Sequence, residues 1–269
     1  MADTREHALD GSRGSIAVRE WPNPRPRHVA LVLHGYGEHM GRYAEVADVL
    51  VRHGAAVFGP DHVGHGRSAG ERVVIEDFED VVADVHAVAT LARAAHPDVP
   101  VVLVGHSMGG LVAARYAQLH GDELAALVLS GPVIGDWELP RRLLAHAEIP
   151  DTPISPAALS RDPEVGVAYT KDPLVWHGPM KRPTVEAFVR MLDTVSKSGG
   201  IGRLPLLWLH GDDDRLVPLA GSRVGIEELR GNDATERVYA GARHEVFHET
   251  NKEQVFADLI HFLDGVFAR

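Results

Sequence analysis

The pentapeptide Gly105-His106-Ser107-Met108-Gly109 stands directly behind the apolar run Val101-Val102-Leu103-Val104 and just ahead of a helical stretch at 111–117. Few folds accept a strand that turns into a helix through G-x-S-x-G. The turn is sharp enough to strain its central residue, and glycines on either side remove side chains that would collide. Ser107 is therefore expected to stand above a buried strand, its hydroxyl beside a helix N-terminus that favours developing negative charge. A glycine-rich turn without chemistry is the plain alternative for the pentapeptide alone, and its strand–helix context argues against it.

Apolar runs alternate with amphipathic stretches on both sides of this turn, which predicts an α/β fold with a mostly parallel sheet. Residues 15–21 read as an edge strand, 28–33 as a buried strand, 42–53 as a helix, 55–58 as a strand and 75–95 as a long helix. A strand at 124–129 follows the serine helix. Regularity breaks near Pro132, and the proline-rich, strandless stretch beyond it predicts an inserted helical segment. Alternation resumes with a strand at 204–209, a helix at 222–229, a strand at 235–239 and a closing helix at 252–267.

A serine hydroxyl needs a general base, and the base needs an orienting carboxylate. With this kind of turn the chain order is Ser, then Asp or Glu, then His. Behind the strand at 204–209 lies His210-Gly211-Asp212-Asp213-Asp214-Arg215-Leu216-Val217-Pro218. Asp214 is selected because it sits one turn past the strand end, leaving Asp212 and Asp213 as turn residues. The last strand leads to Gly241-Ala242-Arg243-His244-Glu245-Val246-Phe247-His248, where His244 is selected as base and His248 stays its rival. Two backbone N–H groups should complete the site: Met108, next to the serine, and Tyr36, in the turn His34-Gly35-Tyr36-Gly37. A metal reading of Asp61, His62 and His65 fails because they lack the H-x-H-x-D-H order, and no H-E-x-x-H occurs. No metal and no cofactor are expected.

Composition bounds what remains. The 269 residues suit one large domain, or one carrying an insertion. A net charge of −11 argues against nucleic-acid binding, which needs a basic face. Without cysteine, disulfides and thiolate chemistry are excluded. The first residues show neither a basic nor an apolar signal region, and no run reaches the ~20 apolar residues of a spanning helix. The expectation is a cytoplasmic protein, peripheral at membranes, of unspecified oligomeric state.

Taken together, these segments resemble the monoacylglycerol lipase group of the α/β-hydrolase superfamily, among the lysophospholipase-like serine hydrolases. The resemblance rests on His34-Gly35-Tyr36-Gly37-Glu38-His39 with Gly41-Arg42-Tyr43, on Asp61-His62-Val63-Gly64-His65-Gly66-Arg67-Ser68, and on the serine turn. It continues through Leu159-Ser160-Arg161, Asp172-Pro173-Leu174, His210-Gly211 with Asp214-Arg215-Leu216, and Gly241 with His244. It implies an eight-stranded α/β-hydrolase core (1–132 and 201–269) with a helical cap inserted at 133–200. It also implies the triad Ser107, Asp214 and His244, an oxyanion hole from the backbone of Tyr36 and Met108, and Arg42, Tyr169 and His248 as substrate-binding residues.

The expected reaction is hydrolysis of a monoacylglycerol to fatty acid and glycerol through an acyl-enzyme. Lysophospholipids or short-chain carboxylic esters are the alternative substrates, and a non-catalytic binding protein of the same fold is the alternative of another class. Leu139, Leu143, Leu144 and Ala147 would share one face of a helix over 139–149. That face either packs on the core or borders the acyl entrance and touches membranes or micelles. Met180, Phe188, Met191 and Leu192 either line an acyl tunnel or fill the cap interior.

Overall fold

Five strands made almost wholly of apolar residues are buried along their entire length: β3 (His28–Leu33), β4 (Ala55–Pro60), β5 (Val101–His106), β6 (Ala126–Ser130) and β7 (Leu206–Gly211). Strands that read apolar on both faces must be covered on both, which is the parallel-sheet solution. A computed structural model describes residues 4–268. In it these strands form the parallel centre of an eight-stranded sheet ordered β1-β2-β4-β3-β5-β6-β7-β8. β8 (Ala234–Tyr239) continues the parallel set, whereas β1 (Arg5–Gly11) and β2 (Gly14–Trp21) are antiparallel additions at the other edge.

Alternate residues of the central strands feed two separate cores. Leu31, Leu103, Leu129 and Trp208 face the layer of α2 (Phe78–Ala95), α3 (Met108–His120) and α7 (Leu219–Leu229). Val32, Val104, Val128 and Leu207 face α1 (Ala44–Arg52) and α8 (Lys252–Phe267). Between β6 and β7 run three helices: α4 (Leu139–Leu144), α5 (Pro163–Lys171) and α6 (Arg182–Lys197). α6 buries Ala187, Phe188, Met191, Leu192 and Val195 in the core of the α2/α3 layer.

Several expectations need correction. The strand at 15–21 is not the sheet edge, because β1 pairs along its outer side. β1 carries no apolar alternation and is exposed or half-buried throughout, so its sequence gives no strand signal. The long helix begins at Phe78 rather than 75, since the Asp77 side chain caps it by accepting the Glu79 amide at 2.9 Å. The helix expected over 139–149 ends at Leu144, which leaves Ala147 exposed outside it.

Candidate active site

At the end of β5 the chain reverses through Ser107 at φ 54°, a left-handed conformation in which a non-glycine side chain is strained. The turn leaves no room on either side. A Cβ on Gly105 would lie 2.4 Å from the Gly109 carbonyl oxygen, and one on Gly109 would lie 2.4 Å from that of Leu33. The strain is held by backbone bonds: the Ser107 amide donates to Ser130 O at 2.9 Å, and its carbonyl accepts from Gly110, Leu111 and Val133.

The expected partners converge on this hydroxyl. Ser107 Oγ lies 2.9 Å from His244 Nε2, and His244 Nδ1 lies 2.7 Å from Asp214 Oδ2. Asp214 Oδ1 accepts the amides of Leu216 and Val217 at 3.0 and 2.9 Å. Behind it, His210 Nδ1 accepts from the Trp208 indole, which leaves Nε2–H to face Val217 O and, at 3.3 Å, Asp214 Oδ2. The other two aspartates are spent elsewhere, Asp212 accepting the Gly241 amide and Asp213 pairing with Arg215.

Burial works to raise the Asp214 carboxyl, but the charge on His244 and the bonds from His210 and His244 outweigh it and hold Asp214 below the usual carboxylate range. Burial also works to lower His244, and the Asp214 carboxylate, helped by Glu245 and Glu38, reverses that and leaves its affinity for a proton raised. His106, buried beneath with its ring 4.8 Å from His244, is pushed down to about 4, by burial first and His244 second.

Tyr36 and Met108 line the same cavity as Ser107 and His244. Met108 is the first residue of α3, so its amide has no intrahelical acceptor. The Tyr36 loop is anchored from below: His34 Nδ1–H donates to Gly35 O at 2.8 Å, and His34 Nε2 accepts the His62 amide at 3.0 Å. Asp61, on the loop after β4, accepts the amide of Met40 behind the Tyr36 loop and that of Arg67 in its own loop, both at 2.8 Å. Asp61 and the His62 amide therefore tie the two loops together, and the His65 ring is bonded to Val63 O within its own loop. Among the described residues, one group brings metal-ligand atoms within 4.8 Å of one another: His86, His120 and Glu123 at the α2–α3 layer, away from the cavity lining.

The cavity measures about 490 Å³ and its lining has two parts. One is apolar, with Val133, Trp137, Leu143, Ile154, Met180 and Phe188. The other is a polar group of Glu38, Arg42, Tyr169 and Glu245. Arg42 contacts Glu38 and grips Glu245 with two bonds of 2.7 and 2.8 Å, its guanidinium stacked 5.3 Å from the Tyr169 ring. Glu38 Oε1 also accepts the Gly35 amide at 2.6 Å and the Tyr43 hydroxyl at 2.7 Å. Burial would raise both acids, but Arg42 holds both below the usual carboxylate range.

Of the expected substrate contacts, Arg42 and Tyr169 are at the cavity and His248 is not among its lining residues. The His248 ring lies behind Glu245, with Nδ1 3.0 Å from Glu245 Oε2 and Nε2 3.1 Å from Arg42 O. The same placement removes it as a rival base. Met180 and Phe188 line the cavity, whereas Met191 and Leu192 pack in the core. Glu38 and Glu245 were missed as site residues. The only signal for Glu245 in the sequence was its place next to the base, and its partner Arg42 lies 203 positions away.

The loop carrying His244 is stitched to the insertion. The Glu245 amide donates to Leu159 O at 2.8 Å, and the Arg243 guanidinium donates to Ala157 O and Ser160 O. In return Arg161 donates through its amide and its Nε to Glu249, at 3.0 and 2.9 Å.

A family model described as serine aminopeptidase, S33 (Hydrolase_4) matches residues 24–251. The chain is 37% identical to the monoacylglycerol lipase of Mycolicibacterium smegmatis, over 96% of this chain and 97% of that protein. It is 32% identical to the monoglyceride lipase of Homo sapiens, over 91% and 88%. Among solved structures, the monoacylglycerol lipase of Paleococcus ferrophilus superimposes with a TM-score of 0.79 at 28% identity, covering 93% of this chain and 99% of that one.

Proposed function

From the premise that the chain belongs to the Hydrolase_4 family and to its monoacylglycerol lipase group of α/β-hydrolases, we propose that it hydrolyses monoacylglycerols to fatty acid and glycerol. Ser107 Oγ attacks the ester carbonyl while His244 Nε2 takes its proton, and Asp214 holds the ring and balances the imidazolium. The amides of Tyr36 and Met108 receive the oxyanion. His244 then protonates the departing glycerol, and water, activated by the same base, releases the acyl group. The insertion 133–200 is the cap over this centre, its apolar lining taking the acyl chain.

The observation that carries this reading is the commitment of Arg42 to both Glu38 and Glu245. An aminopeptidase must receive a free ammonium on unpaired acid, and the two buried acids of the polar end are occupied; Asp136 and Glu138, which also border the cavity, are exposed in the turn before α4. A lysophospholipid needs a free cation for its phosphate, and the buried guanidinium is not free. A glycerol hydroxyl, in contrast, can donate to Glu38 Oε2, which beside its contact with Arg42 has a lone pair open, whereas both Glu245 oxygens are taken by Arg42 and His248. Arg142 and Arg215 also border the cavity, but both are exposed and lie at its rim.

At the mouth Leu139 is 36% exposed beside the exposed Arg141 and Arg142 of α4, and we assign this short helix to contact with a lipid surface. Among the described residues no helix is long and apolar enough to cross a membrane. The test is product release from mono-, di- and triacylglycerols, lysophosphatidylcholine and an amino-acyl nitroanilide, with Ser107→Ala as control. Preferential glycerol release from monoacylglycerol, abolished in the variant, is expected. Preference for lysophosphatidylcholine or the anilide overturns the substrate, and full activity of Ser107→Ala overturns the site.

A further inference from the structure

The two loops that complete the centre around Ser107 approach each other through one buried guanidinium. The loop after β3 brings Tyr36 and, through the Gly35 amide on Glu38 Oε1, is braced by Glu38. The loop after β8 brings His244, and the next residue is Glu245. Arg42 joins the carboxylates of both. All three side chains are 10% exposed or less, so bulk solvent screens the link little.

We propose that Glu245 is a positioning residue: through Arg42 it fixes the base His244 relative to the Tyr36 oxyanion amide, and its charge supports the imidazolium formed at each proton transfer. This rests on the triad reading above. Asp214 constrains the imidazole through one nitrogen, and the bonds to 157–161 tie its loop to the insertion, but neither reaches the loop that carries Tyr36. Glu245 supplies that further constraint, because its carboxylate is clamped by two bonds to Arg42 while its amide is bonded to Leu159 O. A carboxylate one residue from the base, buried with it, acts at short range where bulk solvent screens little, so its charge is worth more than at the surface.

The groups around His244 come from every neighbouring element. Asp214 and His210 stand behind it from the β7 end, and His106 packs beneath it from β5. Glu38 and Arg42 come from the loop after β3, and Glu245 and His248 from its own loop. Among these, Glu245 and Glu38 are the carboxylates other than Asp214 whose charge favours the protonated ring.

The decisive experiment compares wild type, Glu245→Gln and Glu245→Asp on a short p-nitrophenyl ester, which has no glycerol, and on a monoacylglycerol, over a pH series. For Glu245→Gln, kcat should fall on the order of 10- to 100-fold on both substrates with KM little changed. The acid limb of kcat/KM should also move to lower pH, because a charge that favours imidazolium is gone. Glu245→Asp keeps that charge on a stem one carbon shorter, so the acid limb should stay and kcat recover only in part. A p-nitrophenyl rate and acid limb unchanged in Glu245→Gln overturn the proposal. So does a rise in KM confined to monoacylglycerol, which would make Glu245 a glycerol contact. Where Glu245→Gln does not fold, Glu245→Asp decides, and wild-type kcat in it overturns the proposal. Wild-type protein inert on every ester overturns the triad reading itself, a result distinct from all of these.

Discussion

Asp214 can orient His244 because Asp212 and Asp213 beside it are engaged elsewhere, and because two amides lock its second oxygen in place. Asp214→Asn keeps the shape and removes the charge, so kcat on any ester substrate should fall by about 10⁴ while the far-UV circular dichroism spectrum stays that of the wild type. An unchanged kcat would exclude the role. His244 must be neutral to accept the serine proton, and its surroundings favour the charged form. Activity should therefore be lost as pH falls through a midpoint above the ordinary histidine value of about 6.5, read from kcat/KM against pH. Ser107, Asp214 and His244 were legible because each follows a strand end in a fixed order. Tyr36 and Met108 also follow strand ends, and both line the cavity. Glu38 and Glu245 were not legible, since what distinguishes them from surface acids is a partner that only the tertiary fold supplies.

At the scale of elements, the central strands were readable because burial on both faces leaves an unmistakable apolar run. β1 was not, because an exposed edge strand needs only backbone pairing and imposes no pattern on its side chains. α6 is the element that ties the insertion to the core. Its Phe188 is fully buried, with ring centroids 4.8 Å from Phe78 and 5.2 Å from Trp137, and it also lines the cavity. Phe188→Ala should cost about 3–5 kcal/mol of stability by urea unfolding. It should also weaken discrimination between long- and short-chain esters. α4 should act at the lipid surface rather than in stability: Leu139→Asp should reduce co-sedimentation with vesicles while leaving hydrolysis of a soluble ester intact.

Across the whole molecule, several histidines are buried in neutral form. Burial pushes His28, His65 and His106 down to about 4 and His62 down to about 3, with neighbouring cations or histidines adding to the effect. Each gains a proton on unfolding between its folded value and the ordinary value near 6.5, so the unfolded chain binds more protons over that interval. Stability should therefore fall as pH drops from about 6.5 toward 4, by up to about 1.4 kcal/mol per pH unit per ring. His244, whose affinity for a proton is raised, works in the opposite direction, one ring against these four and His34, which burial also pushes down. Asp214 and Glu245, held low, lose their contribution only as pH falls below the ordinary carboxylate range near 4. Urea midpoints at pH 7.5 and 5.5 check this: a lower midpoint at 5.5 is expected, and equal midpoints would refute it. The bonds between 157–161 and the loop carrying His244 have one more consequence, for anyone who would re-engineer this scaffold. Grafting a foreign 133–200 in one piece would replace the residues that bond the loop of the base along with those that line the cavity. Specificity can be rewritten within 139–155, provided that the strip behind it is inherited unchanged.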